Sequence, residues 1–169
     1  MKIFLTGFMG TGKTTIGKKL ANSLNLRFID LDFFIEEKHK AGIPFIFSLI
    51  GEEGFRLIEN RSLLEVINDD NYVLSTGGGT PCFYDNMKLM NEQGITVYLK
   101  MSPSALLNRL KSSKKKRPLI ETLSDAELLD FISQKLKERE FFYKQSKIIV
   151  NSLDLKIENL KNLILAYTS

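Results

Sequence analysis

Short apolar runs at residues 2–6, 27–30, 72–75, 95–100 and 147–151 are bounded by turn residues and separated by stretches too long for hairpins. Runs of this length and character are those of strands buried on both faces of a parallel sheet. Helical periods fill the intervals. Ile16, Leu20 and Leu24 recur at every fourth position and form one apolar stripe, as on a helix packed against a sheet. Ser102 followed by Pro103 predicts a helix start, because serine accepts from free backbone N–H groups and proline at the first helical position loses no hydrogen bond. That helix is expected to reach about Leu110. Residues 125–145 resume a helical pattern. The polar, basic interval 111–121 has no apolar period and is expected to be a mobile surface loop. Alternating strands and helices define the α/β class, here one domain with five strands over residues 1–169.

Composition narrows this picture. The chain has 169 residues, 43% hydrophobic and 26% charged, the balance of a globular protein rather than a disordered, fibrous or membrane one. Cys82 and His39 are each the sole residue of their type, so an internal disulfide is excluded and a four-ligand zinc site of the usual kind is not expected. The first nine residues are apolar, but Gly7, Gly10 and Gly12 interrupt the run and no small-residue cleavage pattern follows. No run reaches membrane-spanning length, and the expected location is the cytoplasm. Much of the net charge of +4 comes from Lys111 and residues 114–117. A basic segment of this kind serves either nucleic-acid contact or a solvated loop, and without a recognition motif the solvated loop is the simpler reading.

The chemistry begins at residues 7–14, which read Gly7-Phe8-Met9-Gly10-Thr11-Gly12-Lys13-Thr14. This is GxxxxGK[ST], set after an apolar strand and before an amphipathic helix. The glycines let backbone N–H groups converge on phosphate oxygens, and the helix N-terminus favours an anion. Lys13 is expected to contact the β- and γ-phosphates of ATP, and the Thr14 hydroxyl to ligate Mg²⁺, a hard ion that prefers oxygen. A phosphate loop does not choose the acceptor, since GTPases, motors, transporters and small-molecule kinases share it.

Asp30 and Asp32 sit at the end of the second strand, facing the crevice beyond the carboxyl edge of a parallel sheet. Their plain alternative is capping the following helix. Arg56 and Glu59 are three apart on a helix, so Glu59 is placed to hold the guanidinium for bidentate contact with a carboxylate, the alternative being a surface ion pair. Gly77, Gly78 and Gly79 follow the third strand and allow backbone N–H groups to approach a ligand, where the alternative is a flexible turn.

Taken in order, residues 7–17, Asp30-Leu31-Asp32, Gly51-Glu52-Glu53-Gly54-Phe55-Arg56 and Gly77-Gly78-Gly79 resemble shikimate kinase from the start of the chain to about residue 150. The resemblance implies a P-loop kinase fold related to nucleoside monophosphate kinases, with strand order 2-3-1-4-5 and a mobile lid. It implies transfer of the ATP γ-phosphate to the 3-hydroxyl of shikimate, in the chorismate branch of aromatic amino-acid biosynthesis. By the same resemblance Asp30 holds Mg²⁺ through water and Asp32 contacts the acceptor hydroxyl. Gly10, Thr11, Gly12, Lys13, Thr14 and Thr15 bind nucleotide, while Arg56, Gly78, Gly79 and Arg139 bind shikimate. Arg139 lies in Arg139-Glu140-Phe141-Phe142-Tyr143, where Phe141-Phe142 replaces the family's frequent Pro-Leu. Arg117, in Lys116-Arg117-Pro118-Leu119, resembles the family's lid arginine, and Arg109 a position that packs on adenine.

Two arginines on one carboxylate would select an acidic acceptor over a neutral polyol. Phe45, Phe47 and Phe55 are read as an apolar wall beside the substrate or as ordinary core, and Tyr143, His39 and Cys82 as structural. The expected partners are shikimate and ATP, with a monomeric chain and neither nucleic acid nor membrane. The rival readings are a kinase for gluconate or a nucleotide, and a nucleic-acid-dependent ATPase.

Overall fold

The structure is a computed structural model that describes residues 1–113, 120 and 122–168. Its five strands are β1 (Lys2–Thr6), β2 (Arg27–Asp30), β3 (Tyr72–Ser75), β4 (Ile95–Lys100) and β5 (Ile148–Asn151). All pair in parallel, in the order β2-β3-β1-β4-β5, which is the order expected. The helices are α1 (Lys13–Leu24), α2 (Leu31–His39), α3 (Ile43–Ile67), α4 (Asn86–Gln93), α5 (Pro103–Ser112), α6 (Asp125–Tyr143) and α7 (Ile157–Thr168).

The central strand shows why both faces must be covered. Ile3 and Leu5 join Ile16, Leu20 and Ala21 of α1 and Leu160 and Ile164 of α7 in one core. Phe4, pointing the other way, joins Leu31 and Ile35 of α2, Leu63 of α3 and Met87 and Met90 of α4 in a second. The period of two in β1 thus assigns alternate side chains to two helical layers. A third cluster, with Phe8, Met101, Leu106, Leu110, Leu128 and Ile132, binds α5 and α6 over the carboxyl end of the sheet. The expected stripe on α1 is present, with Leu24 only partly buried.

Helix boundaries depart from the expected ones for identifiable reasons. Ser102 Oγ accepts from Ala105 N at the start of α5, as its sequence implies, but the helix continues to Ser112. Leu110 packs into the third core, and Lys111 pairs with Asp125 in the first turn of α6. Lys111 and Ser112 are therefore helical rather than loop. Ile120 is buried in the third core, and residues 114–119 and 121, which carry most of that expected loop and Arg117, lie outside the described residues. The start of α6 is a capping box formed by Ser124 and Glu127, and its end comes at Tyr143, two residues earlier than expected. The strand after it begins at Ile148 rather than Lys147 because Thr96 Oγ1 takes the Lys147 N–H at 2.9 Å.

The break in α3 was not visible in the apolar pattern. Gly51 has φ 70° and ψ −176°, a region populated almost only by glycine. The bend lets the second half of the helix bury Phe55, Arg56, Glu59 and Leu63, whereas Phe45, Leu49 and Ile50 before it stay exposed.

Strand order positions the site. From β1 the chain crosses past β3 to reach β2, and from β3 it crosses to β4 on the opposite side. Such a reversal opens a crevice at the carboxyl ends of β1 and β3. No helix among the described residues is long and apolar enough to cross a membrane.

Gly51→Ala isolates the backbone constraint, since an added Cβ would meet nothing within 4 Å. We expect it to destabilise the fold by about 1–3 kcal/mol, read as a lower urea midpoint with an unchanged slope.

Candidate active site

The loop between β1 and α1 folds around its own polar groups. Gly12 caps α1 in the left-handed region. The Thr11 hydroxyl donates to Phe8 O at 2.9 Å, so this buried side chain braces the loop. Lys13 Nζ lies over the loop, donating to Gly7 O at 2.7 Å and Phe8 O at 3.0 Å. Arg109 Nη1 reaches the same loop from α5, 3.2 Å from Thr11 O. Its guanidinium is half-buried against the loop rather than facing solvent. Thr15 is exposed in the first turn of α1.

Beyond β2, Thr14 Oγ1 donates to Asp30 Oδ2 at 2.8 Å, joining the phosphate loop to the second strand. Asp30 Oδ1 meanwhile accepts from Phe33 N at 3.4 Å as the cap of α2. The capping and site readings of this carboxylate are both satisfied, by different oxygens. One residue into α2, the half-buried Asp32 turns toward the turn after β3. A Cβ at Gly77 would lie 3.0 Å from Asp32 Oδ1 and 2.7 Å from Glu59 Oε1.

The Arg56–Glu59 pair is buried, which overturns the surface ion pair as an alternative. Arg56 is 7% exposed and Glu59 1%. Arg56 Nη1 donates to Glu59 Oε2 at 2.8 Å, and Nη2 donates to Glu52 Oε1 at 3.3 Å. Thr80 Oγ1 donates to the other Glu59 oxygen at 2.6 Å, so both carboxylate oxygens are committed. Phe47, Phe55 and Phe83 surround the guanidinium, the last with its ring centre 4.6 Å away. Gly79 presses on it, since a Cβ there would stand 2.5 Å from Nη2. Arg56 Nε is buried and bonds to nothing among the described residues. Of the three phenylalanines singled out in the sequence, Phe55 is core and Phe47 stacks on it at 4.4 Å, whereas Phe45 is 61% exposed and belongs to neither wall nor core.

Arg139 is half-buried on α6. Its guanidinium lies 5.8 Å from the centre of the Phe8 ring, and its Nη1 is 3.4 Å from where a Gly78 Cβ would be. The structure thus gathers Lys13, Thr14, Asp30, Asp32, Arg56, Arg109, Arg139 and the three glycines around one crevice. Two neighbours read as structural also stand there. The Tyr143 hydroxyl donates to Gly78 O. Cys82 ends the 3-10 turn Thr80–Cys82, where burial pushes its thiol up to about 11 while the Arg139 and Arg56 charges pull it down. His39, at the exposed end of α2, takes no part.

A glycine-rich loop feeding a helix at the switch point of a five-stranded parallel sheet, opposite a buried arginine and a half-buried one, defines a P-loop kinase for a small anionic acceptor. Residues 9–167 match the shikimate kinase family model. A shikimate kinase of Bacteroides thetaiotaomicron is 49% identical over 156 residues, covering 92% of this chain and 89% of that protein. A crystal structure of shikimate kinase from the same organism superposes with a TM-score of 0.95 at 45% identity, over 98% of each chain. The Acinetobacter baumannii enzyme in complex with shikimate gives 0.84 at 34% identity, over 99% of this chain and 92% of that one. The chain belongs to the shikimate kinase family.

Removing one member of a buried ion pair strands the other. Glu59→Ala should destabilise the fold by about 3–5 kcal/mol, measured by urea unfolding. Burial also predicts an inert cysteine. With its thiol near 11, Cys82 should be on the order of one part in a thousand thiolate at pH 8. Alkylation by iodoacetamide should rise about tenfold per pH unit up to about pH 11 and level off above it.

Proposed function

We propose how the residues of the crevice divide the reaction that family membership assigns to this chain, ATP-dependent phosphorylation of the shikimate 3-hydroxyl to give shikimate 3-phosphate and ADP. The observation that carries the acceptor assignment is the buried Arg56, held by Glu59 with its Nε unpartnered. A cation fixed in this way is ready for a carboxylate, and Arg139 supplies the second guanidinium. Two charge-assisted contacts of this kind favour an acidic acceptor over a neutral polyol. Backbone groups of Gly78 and Gly79 line the same face.

On the nucleotide side, backbone N–H groups of residues 10–15 hold the phosphates. Lys13 exchanges its carbonyl partners for phosphate oxygens and follows the charge as it moves to the leaving group. Arg109 packs beside the adenine, and Arg117 adds positive charge at the transferred group. Asp32 orients the acceptor hydroxyl for in-line attack and is placed to take its proton. The donor set suits Mg²⁺. Thr14 and Asp30 offer oxygen only, already adjacent at 2.8 Å, and among the described residues no three His, Cys, Asp or Glu side chains form a metal-binding group. A hard ion that keeps several waters and shares substrate phosphates fits such a site. Thr14 would hold it directly and Asp30 through water, and when bound it neutralises charge on the β- and γ-phosphates. The same reading has the chain acting as a cytoplasmic monomer on these two small molecules, without nucleic acid or membrane.

The decisive assay is ADP release from MgATP with shikimate, gluconate, a nucleoside monophosphate or no acceptor. Shikimate alone should stimulate release, whereas stimulation by another acceptor and not by shikimate would overturn the assignment. Asp32→Asn should lower kcat by about 10²–10⁴-fold with little change in the KM for MgATP. Lys13→Ala should impair nucleotide use with any acceptor.

A further inference from the structure

Tyr143 is fully buried on the last turn of α6, and no step of the proposed reaction uses it. Arg139 precedes it by four residues, so the two side chains share one face of the helix. The Tyr143 ring packs on Tyr98 of β4 at 5.1 Å between centres, which fixes where its hydroxyl points. That hydroxyl donates to Gly78 O, in the turn after β3. Arg139 Nη1 approaches the same turn, 3.4 Å from where a Gly78 Cβ would stand.

The direction of this chain of contacts follows from valence. A carbonyl only accepts, so the single O–H proton of Tyr143 is committed to Gly78. A guanidinium only donates, so the phenol lone pairs are what Tyr143 has left to offer the Arg139 charge nearby. The bond from Tyr143 O–H to Gly78 C=O requires a neutral phenol. Burial, the largest influence, holds the phenol above its ordinary range, and the weaker Arg139 charge pulls it down. The proton therefore stays in place at any working pH. Gly78 in turn approaches the phosphate loop, where a Cβ would stand 3.5 Å from Met9 N and 3.7 Å from Gly7 O.

We propose that Tyr143 is a positioning residue for acceptor binding, whose hydroxyl anchors the Gly78 carbonyl beside the Arg139 guanidinium and so sets the spacing between two contacts to the acceptor. The inference rests on the reading that Arg139 and Gly78 bind the acceptor. Without the hydroxyl, Arg139 keeps its charge, but the turn at Gly78 beside it loses its anchor and the spacing between the two is no longer fixed. The loss then falls on acceptor affinity rather than on nucleotide use.

The test is a cycle of Tyr143→Phe, Arg139→Lys and the double variant, with Tyr98→Phe as the packing control. The KM for shikimate, the KM for MgATP, kcat and the urea midpoint are measured for each. Tyr143→Phe keeps the ring and its stacking. It should raise the shikimate KM about three- to tenfold, the worth of one buried hydrogen bond, and change the MgATP KM less than about twofold. Its effect should shrink in the Arg139→Lys background, as expected for residues acting through one another, and Tyr98→Phe should leave the shikimate KM unchanged. An unchanged shikimate KM in Tyr143→Phe, with a raised one in Arg139→Lys, would overturn the role of Tyr143 and leave the acceptor reading intact. Equal effects of Tyr98→Phe and Tyr143→Phe, or strict additivity with Arg139→Lys, would also overturn it. An unchanged shikimate KM in Arg139→Lys would overturn the acceptor reading itself, and with it the route through Arg139.

Discussion

Burying the Arg56 guanidinium removes it from water at a cost of several kcal/mol unless a carboxylate and further hydrogen bonds replace that water. Glu59 is the replacement, and its position governs much of what surrounds it. One of its oxygens takes Arg56 and the other takes Thr80, so a single carboxylate joins α3 to the turn after β3. That turn passes so close that a Cβ at 77 would stand 2.7 Å from Glu59 Oε1 and one at 79 2.5 Å from Arg56 Nη2, and either would push the pair aside. The bend at Gly51 turns the second half of α3 inward. Shape and charge are inseparable on this side of the crevice.

The opposite side is built from backbone. Its loop offers N–H groups and carbonyls, braced by Thr11 and covered by Lys13 and Arg109. The two sides meet at Gly78, which lies between the loop and Arg139, and at the Thr14–Asp30 bond. Strand order makes this meeting possible. The β1 and β3 ends adjoin in the sheet, while the helices that follow diverge to opposite sides.

Most of the strand boundaries and the helix stripe were legible because buried parallel strands leave short apolar runs with little ambiguity. β5 was misplaced by one residue because a side chain, Thr96, takes the Lys147 N–H, a contact distant in sequence. The break at Gly51 was hidden for a similar reason, since a glycine in a helical pattern does not announce its dihedral angles. Spacing placed Arg56 beside Glu59 but could not say whether the pair faced water, because burial is decided by Phe47, Phe55, Phe83 and Gly79 around it. Lys13, Thr14, Asp30, Asp32, Arg56, Arg109, Arg139 and the glycines at 77–79 lie around one crevice, but their chemical roles rest on the resemblance and the proposed mechanism. In the sequence Tyr143 reads as structural, and its spacing of four from Arg139 could not show which backbone group its hydroxyl meets. Its partner Gly78 lies 65 residues away, and only folding brings them together.

The central place of β1 also bears on how the chain is made. Its lateral partners are residues 72–75 and 95–98, so of the five strands the first to leave the ribosome has neither neighbour when it emerges. At ordinary rates of synthesis its Ile3, Phe4 and Leu5 wait on the order of several seconds before a strand can pair with them. During that interval an unsatisfied apolar edge is open to the wrong partner. The strand that organises the finished molecule is thus the one that waits longest for its neighbours during its birth.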